Sequence, residues 1–485
     1  MRIDEYAGFD AIGLAELVAD GQASPAELAE AALAAIDAVD PQINAVIETW
    51  AADTDSLSVA QHAGGPLAGV PFLVKDLGVT LAGRRNELGS RLAEGNAAMT
   101  NSVLAQRFID AGLVPVGRTT TPEFAWSTIT ESVLTGITRN PWDLTRSAGG
   151  SSGGSAAIVA AGAVPLAHAT DAAGSIRIPA ASCGIFGLKP GRGRVSNGPA
   201  LDEAVSGLAA QLGVSRSVRD TAALLDAVSG ADPGAPFNVP GPDQSYLSVI
   251  EHDPADLRIA LMLDGWGGLP ATAAVREATS VVAALCESLS HRVELATPTL
   301  GVGWSEFVRD SAVLWSANVA AWIDDAGSAT GRPIDGTTLE PQTLAVHRTG
   351  RSLLAVDVIR ALDARNTVTR NVAPFFESYD VLLTPTLPDV AVPVGAYTTS
   401  TDDLDGFRWT ERLFTGSPFT AFANAAGLPA MTVPLSSDPA TGLPLGAQFV
   451  ARQGGERLLL QLAAQLERAA PWTDRRPPVW AGGTN

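Results

Sequence analysis

Two lysines, Lys75 and Lys189, stand among thirty arginines in this 485-residue chain. A chain that fills almost every cationic position with arginine keeps lysine where a guanidinium fails, and a guanidinium cannot lose its proton. An ε-amine can be made neutral by burial. Lys75 lies in Gly-Val-Pro-Phe-Leu-Val-Lys-Asp, an apolar run that would desolvate it and make it a base. Chance survival of a structural lysine also fits the count, so residue type alone leaves both readings open. Partners for such a base stand in the densest stretch of the chain. Ala148-Gly149-Gly150-Ser151-Ser152-Gly153-Gly154-Ser155 is followed by an Ala-rich segment and then by Thr170-Asp171-Ala172-Ala173-Gly174-Ser175-Ile176-Arg177. Glycines let the backbone turn sharply and bring its N–H groups close to a ligand, and a serine beside a base can become a nucleophile.

Three other readings of the first loop compete. A phosphate cradle ahead of a helix lacks the P-loop lysine and its spacing. A flexible linker does not fit the core-like sequence on both sides. Gly150-Ser151-Ser152-Gly153-Gly154 satisfies the G-x-S-x-G elbow, with Ser152 as nucleophile. That chemistry requires a histidine after the acid, and the last of the five histidines, His347, lies far from the C-terminus. Serine hydrolysis without histidine needs another base, which a Ser–Lys arrangement supplies.

The elements around these loops alternate between helical and strand patterns. Ser24-Pro25-Ala26-Glu27 is a capping box with proline at the first helical position, and it opens the second of two helices expected in the first forty residues. Leu28, Ala32, Leu33 and Ile36 continue it at helical spacing. Short β-branched runs predict strands at 70–74, 113–116, 259–263, 381–384, 431–433 and 447–450. Helices are expected at 102–111, 221–228, 274–288 and 457–468. This alternation implies an α/β architecture with a large sheet covered by helices on both faces. Stretches 230–242 and 400–405 read as surface loops, and one domain over 1–485 with a peripheral helical region at about 300–376 is the simplest account.

Composition excludes several classes. A hydrophobic content of 46% and a mean hydropathy of +0.16 imply a large buried core. A net charge of −20 argues against a nucleic-acid partner. No apolar run approaches a membrane span, and Met1-Arg2-Ile3-Asp4-Glu5-Tyr6 lacks the basic-then-apolar order of a secretion signal. Cys183 and Cys286 form no metal or redox spacing, so a reducing cytoplasm is expected, with Cys183 a small packing residue. No cofactor and no metal is expected.

The chain resembles the amidase signature family of serine amidohydrolases. The resemblance is carried by residues 69–76, 147–161, 171–189, 380–385 and 427–434 and is strongest over 141–190. It implies a central mixed sheet, with a core over 65–195 plus 380–470. Carried over residue by residue, it makes Lys75 the base, Ser151 a bridging serine after a cis peptide bond, and Ser175 the nucleophile. The oxyanion hole would be the N–H groups of Ala172, Ala173, Gly174 and Ser175. Neutral Lys75 would take the proton of Ser151, which takes that of Ser175, whose oxygen attacks an amide carbonyl. A shift of about three pKa units, roughly 4 kcal/mol, would hold the lysine neutral near pH 7. On this reading Lys75→Arg is expected to be inactive yet folded.

Asp171 and Arg177 would pin the loop, Asp76 and Lys189 would be structural, and Ser152 and Ser155 would orient Ser151 and satisfy helix N-terminal donors. Trp304, Trp315 and Trp322 are substrate-pocket candidates, although aromatics at helical spacing favour the core. Trp126 falls in a segment where the family lines its acyl pocket. Two features depart from the family pattern: Ala172 and Ala173 replace Thr and Gly, with a Cβ at 173 expected to narrow the pocket floor, and Arg118 and Thr120 alter a Gly-Lys-Thr-Asn motif. The Asp-Ala-Ala-Gly-Ser variant, with Arg139-Asn140-Pro141-Trp142 upstream, resembles the branch that hydrolyses 6-aminohexanoate cyclic dimers. A small linear or cyclic amide is therefore the expected partner, without nucleic acid or membrane, and a homodimer is compatible. Ammonia release from glutamine alone would instead mark the glutaminase subunit of a tRNA-dependent amidotransferase. An unlabelled Ser175 would mark a catalytically silent binding protein.

Overall fold

The computed structural model describes residues 1–52, 54–237, 239–397 and 404–483. Its organising element is an eleven-stranded mixed sheet. In chain order the strands are Val46–Thr49 (β1), Pro71–Lys75 (β2), Val114–Thr119 (β3), Leu166–Asp171 (β4), Phe186–Lys189 (β5), Ala210–Ser215 (β6), Arg258–Leu261 (β7), Arg292–Leu295 (β8), Val381–Pro385 (β9), Ala430–Ser437 (β10) and Pro444–Ala451 (β11). Across the sheet they run β1-β3-β2-β4-β6-β5-β10-β11-β9-β7-β8. β2 lies parallel to both β3 and β4, with Lys75 level with Thr119. The lysine and Asp171 therefore emerge at the carboxyl ends of neighbouring parallel strands, where open α/β sheets place their ligands.

β2 is buried on both faces, which is why its sequence is a continuous apolar run and not an alternating one. All six predicted strands and all four predicted helices are present with ends shifted by up to four residues. Three helices, not two, occupy the N-terminus: Ile3–Tyr6 (α1), Ala11–Ala19 (α2) and Pro25–Ile43 (α3). The capping box forms at α3, where Ser24 N donates to Glu27 Oε2 (2.8 Å) and Glu27 N to Ser24 Oγ (3.2 Å). Residues 230–237 and 239–242 carry no helix or strand, and 400–403 lie outside the described residues.

Two short helices follow the two serine loops: Gly153–Ala160 (α4) after Ser152 and Arg177–Cys183 (α5) after Ser175. Both are wholly buried and pack on each other. Further along, Trp304–Thr330 (α6), Pro341–Ser352 (α7) and Ala355–Val372 (α8) pack together. Their apolar side chains build a second core with Phe124, Trp126 and Ala172, so this region, expected at the periphery, also walls the centre of the molecule. No helix among the described residues is long and apolar enough to cross a membrane.

Candidate active site

At the end of β2, Lys75 is fully buried and its Nζ faces three hydroxyls: Ser151 Oγ at 2.7 Å, Thr170 Oγ1 at 2.9 Å and Ser152 Oγ at 3.1 Å. No carboxylate pairs with it among the described residues. Burial pulls its pKa from 10.5 down to about 7, against the opposing charges of Asp171 and Asp76. Its backbone is held as firmly as its amine. Lys75 N donates to His168 Nδ1 (3.3 Å), which places the ring hydrogen on Nε2, where it bonds Gln211 Oε1 (3.0 Å). Gln211 Nε2 in turn donates to Asn197 Oδ1 (3.0 Å). Burial drives His168 down to about 3, so it stays neutral and serves as scaffold.

The peptide bond between Gly150 and Ser151 is cis. Gly150 has no room for a side chain, since a Cβ would lie 2.8 Å from the backbone of Ile129. Ser152 N donates to Ser175 O (3.3 Å), tying the two loops together. Ser152 does not cap α4 as expected. Its hydroxyl donates to Thr170 O (3.2 Å), while Ser155 donates to His168 O (2.7 Å), because strand β4 lies closer than the helix end. Ser152 bonds no histidine among the described residues, so the elbow reading lacks the base it requires.

Ser175 sits on the loop between β4 and α5 and lines a cavity of about 40 Å³ together with Ser151, Thr170 and Ala172. No hydrogen bond joins Ser175 Oγ to Ser151 among the described residues. Asp171 shapes this loop: Oδ1 accepts from Gly174 N (2.8 Å) and Oδ2 from Ile176 N (3.2 Å). Gly174, expected among the oxyanion donors, therefore has its N–H engaged, whereas no acceptor among the described residues takes those of Ala172, Ala173 and Ser175. Gly174 itself has φ +139°, and a Cβ there would lie 2.6 Å from Thr420 Oγ1. Asp171 is paired in turn with Arg177, at 2.9 Å to each of Nε and Nη2. Burial pushes Asp171 up, but the guanidinium outweighs it and leaves the carboxyl at about 2.

The aromatic candidates divide. Trp315 and Trp322 of α6 line the cavity, and Trp315 is at the same time buried in the second core, with Trp322 packed against it, so core and cavity wall coincide here. Trp126 lies behind Trp315 in a stack with centroids 4.0 Å apart and is not itself a wall residue. Both indole N–H groups of that stack are buried without a partner among the described residues. Trp304 belongs to a separate cluster with Trp266 and Phe307. Of the two substituted alanines it is Ala172, not Ala173, that lines the cavity floor.

Lys189 is buried like Lys75 and burial pulls it likewise to about 7, but among the described residues its Nζ meets no hydroxyl and donates to Pro190 O alone (2.7 Å). Asp76 points away into an ion pair with Arg118 (2.7 Å), which also holds Glu87 and Glu48. Cys183 and Cys286 are free and buried, with burial raising both thiols. No group of three metal-ligating side chains occurs among the described residues.

Thr170, His168 and Gln211 went unnoticed in the sequence, although His168 and Thr170 share one face of β4 by strand alternation. Gly78 shows how tightly they are packed. It has φ +95°, and a Cβ there would lie 2.5 Å from Gln211 Oε1 and 2.7 Å from Thr170 Cγ2. Gly78→Ala is therefore expected to destabilise by about 1–3 kcal/mol, measurable by urea denaturation, and to lower turnover by displacing Thr170 from the lysine.

The amidase family profile matches residues 27–460. The 6-aminohexanoate-cyclic-dimer hydrolase of Paenarthrobacter ureafaciens is 40% identical over 493 aligned positions, which cover 97% of this chain and 96% of that one. A solved 6-aminohexanoate cyclic dimer hydrolase, complexed with substrate, superposes with a TM-score of 0.91 at 37% identity, covering 98% and 99% of the two chains. A bacterial aryl acylamidase of the amidase signature family superposes with a TM-score of 0.86 at 25% identity, covering 98% of this chain and 99% of that one. With the sheet, the two serine loops and these likenesses in agreement, the chain belongs to the amidase family of hydrolases, close to the 6-aminohexanoate-cyclic-dimer hydrolases.

Proposed function

We propose that this enzyme hydrolyses small linear or cyclic carboxamides, 6-aminohexanoate-type amides among them, through an acyl-enzyme on Ser175. The observation that carries the reading is Lys75 Nζ, buried, without a carboxylate, 2.7 Å from Ser151 Oγ. A neutral amine has two N–H donors and one lone pair. Ser152 gives its own hydrogen to Thr170 O and so meets the lysine as an acceptor. Thr170 Oγ1 takes the second N–H. The lone pair is left facing Ser151, whose hydroxyl becomes the donor.

With substrate in the chamber, Ser175 Oγ closes onto Ser151; such contacts are often long before substrate binds. Its oxygen bonds the carbonyl carbon while its proton passes to Ser151, and that of Ser151 passes to Lys75. The N–H groups of Ala172, Ala173 and Ser175 hold the developing oxyanion, at about 3–4 kcal/mol per donor in other acyl-transfer sites. When the C–N bond breaks, Ser151 protonates the departing amine and is resupplied by Lys75. Water then repeats the sequence and releases the acid. The apolar walls from Phe124, Leu201 and Trp315 suit an aliphatic acyl chain. Two free cysteines accord with work in a reducing cytoplasm.

The base must be neutral, and Lys75 is neutral above about pH 7. The kcat/KM is expected to rise about tenfold per pH unit below that value and to level off above it. A fluorophosphonate should label Ser175, and a panel of carboxamides, anilides and lactams with Ser175→Ala as blank reads the activity. A label on another residue, or a flat pH profile across neutrality, would overturn the reading.

A further inference from the structure

The chamber at Ser175 and a second, larger cavity of about 350 Å³ lie side by side and share Leu77, Gly78, Leu201 and Trp322 as walls. The inner chamber is too small for a long acyl group, so a chain attached to Ser175 must extend outwards. The polar lining of the outer cavity is one-sided. Asp325 lies one helical turn beyond Trp322 on α6 and carries no ion pair among the described residues, whereas its neighbour Asp324 is paired with His347 and Arg351. Asn86 and Asn96 each anchor their Nδ2 on a backbone carbonyl, of Val79 (3.4 Å) and Asn86 (3.0 Å), leaving Oδ1 without a donor among the described residues. Thr80 and Thr330 give their hydroxyl hydrogens to Thr100 O (3.1 Å) and Ala326 O (2.8 Å). The adjacent cations are engaged elsewhere: Arg332 on the carbonyls of Arg91, Leu92 and Glu94, and Arg91 on that of Leu339.

We propose that this outer cavity is a subsite for a primary ammonium at the far end of the acyl chain bound at Ser175, with Asp325 as its counter-ion. The proposal rests on the acyl-enzyme reading above. An ammonium brings three donors and a positive charge to a surface of acceptors, whereas a carboxylate there meets Asp325 and gains little. The enzyme is thereby tuned to ω-aminoacyl amides. For a cyclic amide the subsite has a second consequence. Ring opening leaves the departing nitrogen tethered to the acyl-enzyme as a neutral amine able to close again. Once that amine takes a proton from solvent, Asp325 holds it as ammonium, which has no lone pair to attack the ester, and water reaches the ester first.

The test compares 6-aminohexanoyl-4-nitroanilide with its uncharged isostere heptanoyl-4-nitroanilide. The wild type is expected to favour the amine in kcat/KM, and Asp325→Asn to reduce that ratio about fivefold, the size expected of one partly screened ion pair. The wild-type ratio should also fall as KCl is raised, which needs no variant. Calorimetry with hexylamine reads the subsite without turnover: about fivefold weaker binding to Asp325→Asn supports it. A ratio indifferent to Asp325→Asn and to salt, or hexylamine binding no tighter than hexan-1-ol, overturns it. If the wild type cleaves neither anilide, the acyl-enzyme reading falls, and the calorimetry still decides the ammonium subsite.

Discussion

Lys75→Met is expected to lower kcat/KM by about a thousandfold or more, the scale on which removal of a proton-transfer partner acts, while making the protein more stable. Methionine keeps the unbranched stem and gives up the amine. The stability gain follows from linkage. Burial holds Lys75 at about 7 instead of 10.5, so between those values the unfolded chain carries a proton that the folded one lacks. Wild-type stability accordingly rises with pH across that window, and the burial penalty is present in full below it. Replacing the amine removes the penalty, with a gain of about 1–4 kcal/mol by analogy with other buried charges replaced by apolar groups. The gain should be full below about pH 7, shrink as pH rises, and vanish above 10.5. Urea denaturation at several pH values measures it beside turnover. Loss of both activity and stability would mark the lysine as structural. Lys75→Arg is a poorer variant than the sequence suggests. Arg118 and Arg177 are buried against carboxylates, but at 75 a permanent cation would face only three hydroxyls, and the fold would suffer with the activity.

The comparison of the two lysines also shows what the sequence could and could not tell. Their rarity marked both positions, and both are buried and drawn to about 7. Desolvation does not separate them. Only the hydroxyls around Lys75 do, two of them from the cavity-lining Ser151 and Thr170, and those belong to tertiary structure. The resemblance named Ser151 and Ser175, and the two loops do meet at Lys75 and the cavity. The other neighbours of Lys75 escaped notice because β4, Leu-Ala-His-Ala-Thr-Asp, has a single β-branched residue and reads as no strand at all. β6 escaped for the same reason, with Gln211 and Gly213 in place of a β-branched run. Pairing on both edges overrides their weak propensity. The tryptophans are a different case. Helical spacing sets Trp315 and Trp322 on one face of α6, but whether that face also walls a cavity depends on what packs opposite.

Arg177→Leu is expected to destabilise the protein by about 3–5 kcal/mol, because it leaves a buried carboxylate without its cation. Asp171 and Arg177 are both fully buried. The guanidinium makes two bonds to the carboxylate and three more, to Thr420 O (2.9 Å), Gln448 Oε1 (2.7 Å) and Asn424 Oδ1 (2.6 Å). It thus joins the Ser175 loop to β11 and to helix Ala421–Ala425. Leucine strands Asp171 and removes a donor from each of the other three acceptors. A cavity or lost packing would destabilise equally at every pH, but an unpaired carboxylate does not. In the wild type Asp171 sits at about 2, below its ordinary 3.8, so its contribution is present above about pH 4 and fades as pH falls towards 2. In the variant, burial without the guanidinium raises the folded-state pKa above 3.8, so acidification lets the carboxyl take a proton and recover stability. The deficit against wild type should therefore narrow as pH falls from 7 towards 4. Asp171→Asn combined with Arg177→Leu should restore part of the loss, with a coupling energy of about 1–3 kcal/mol in the cycle. A deficit independent of pH would mean that Arg177 acts by packing. A pH-dependent one establishes that the same ion pair shapes the loop that carries Ser175.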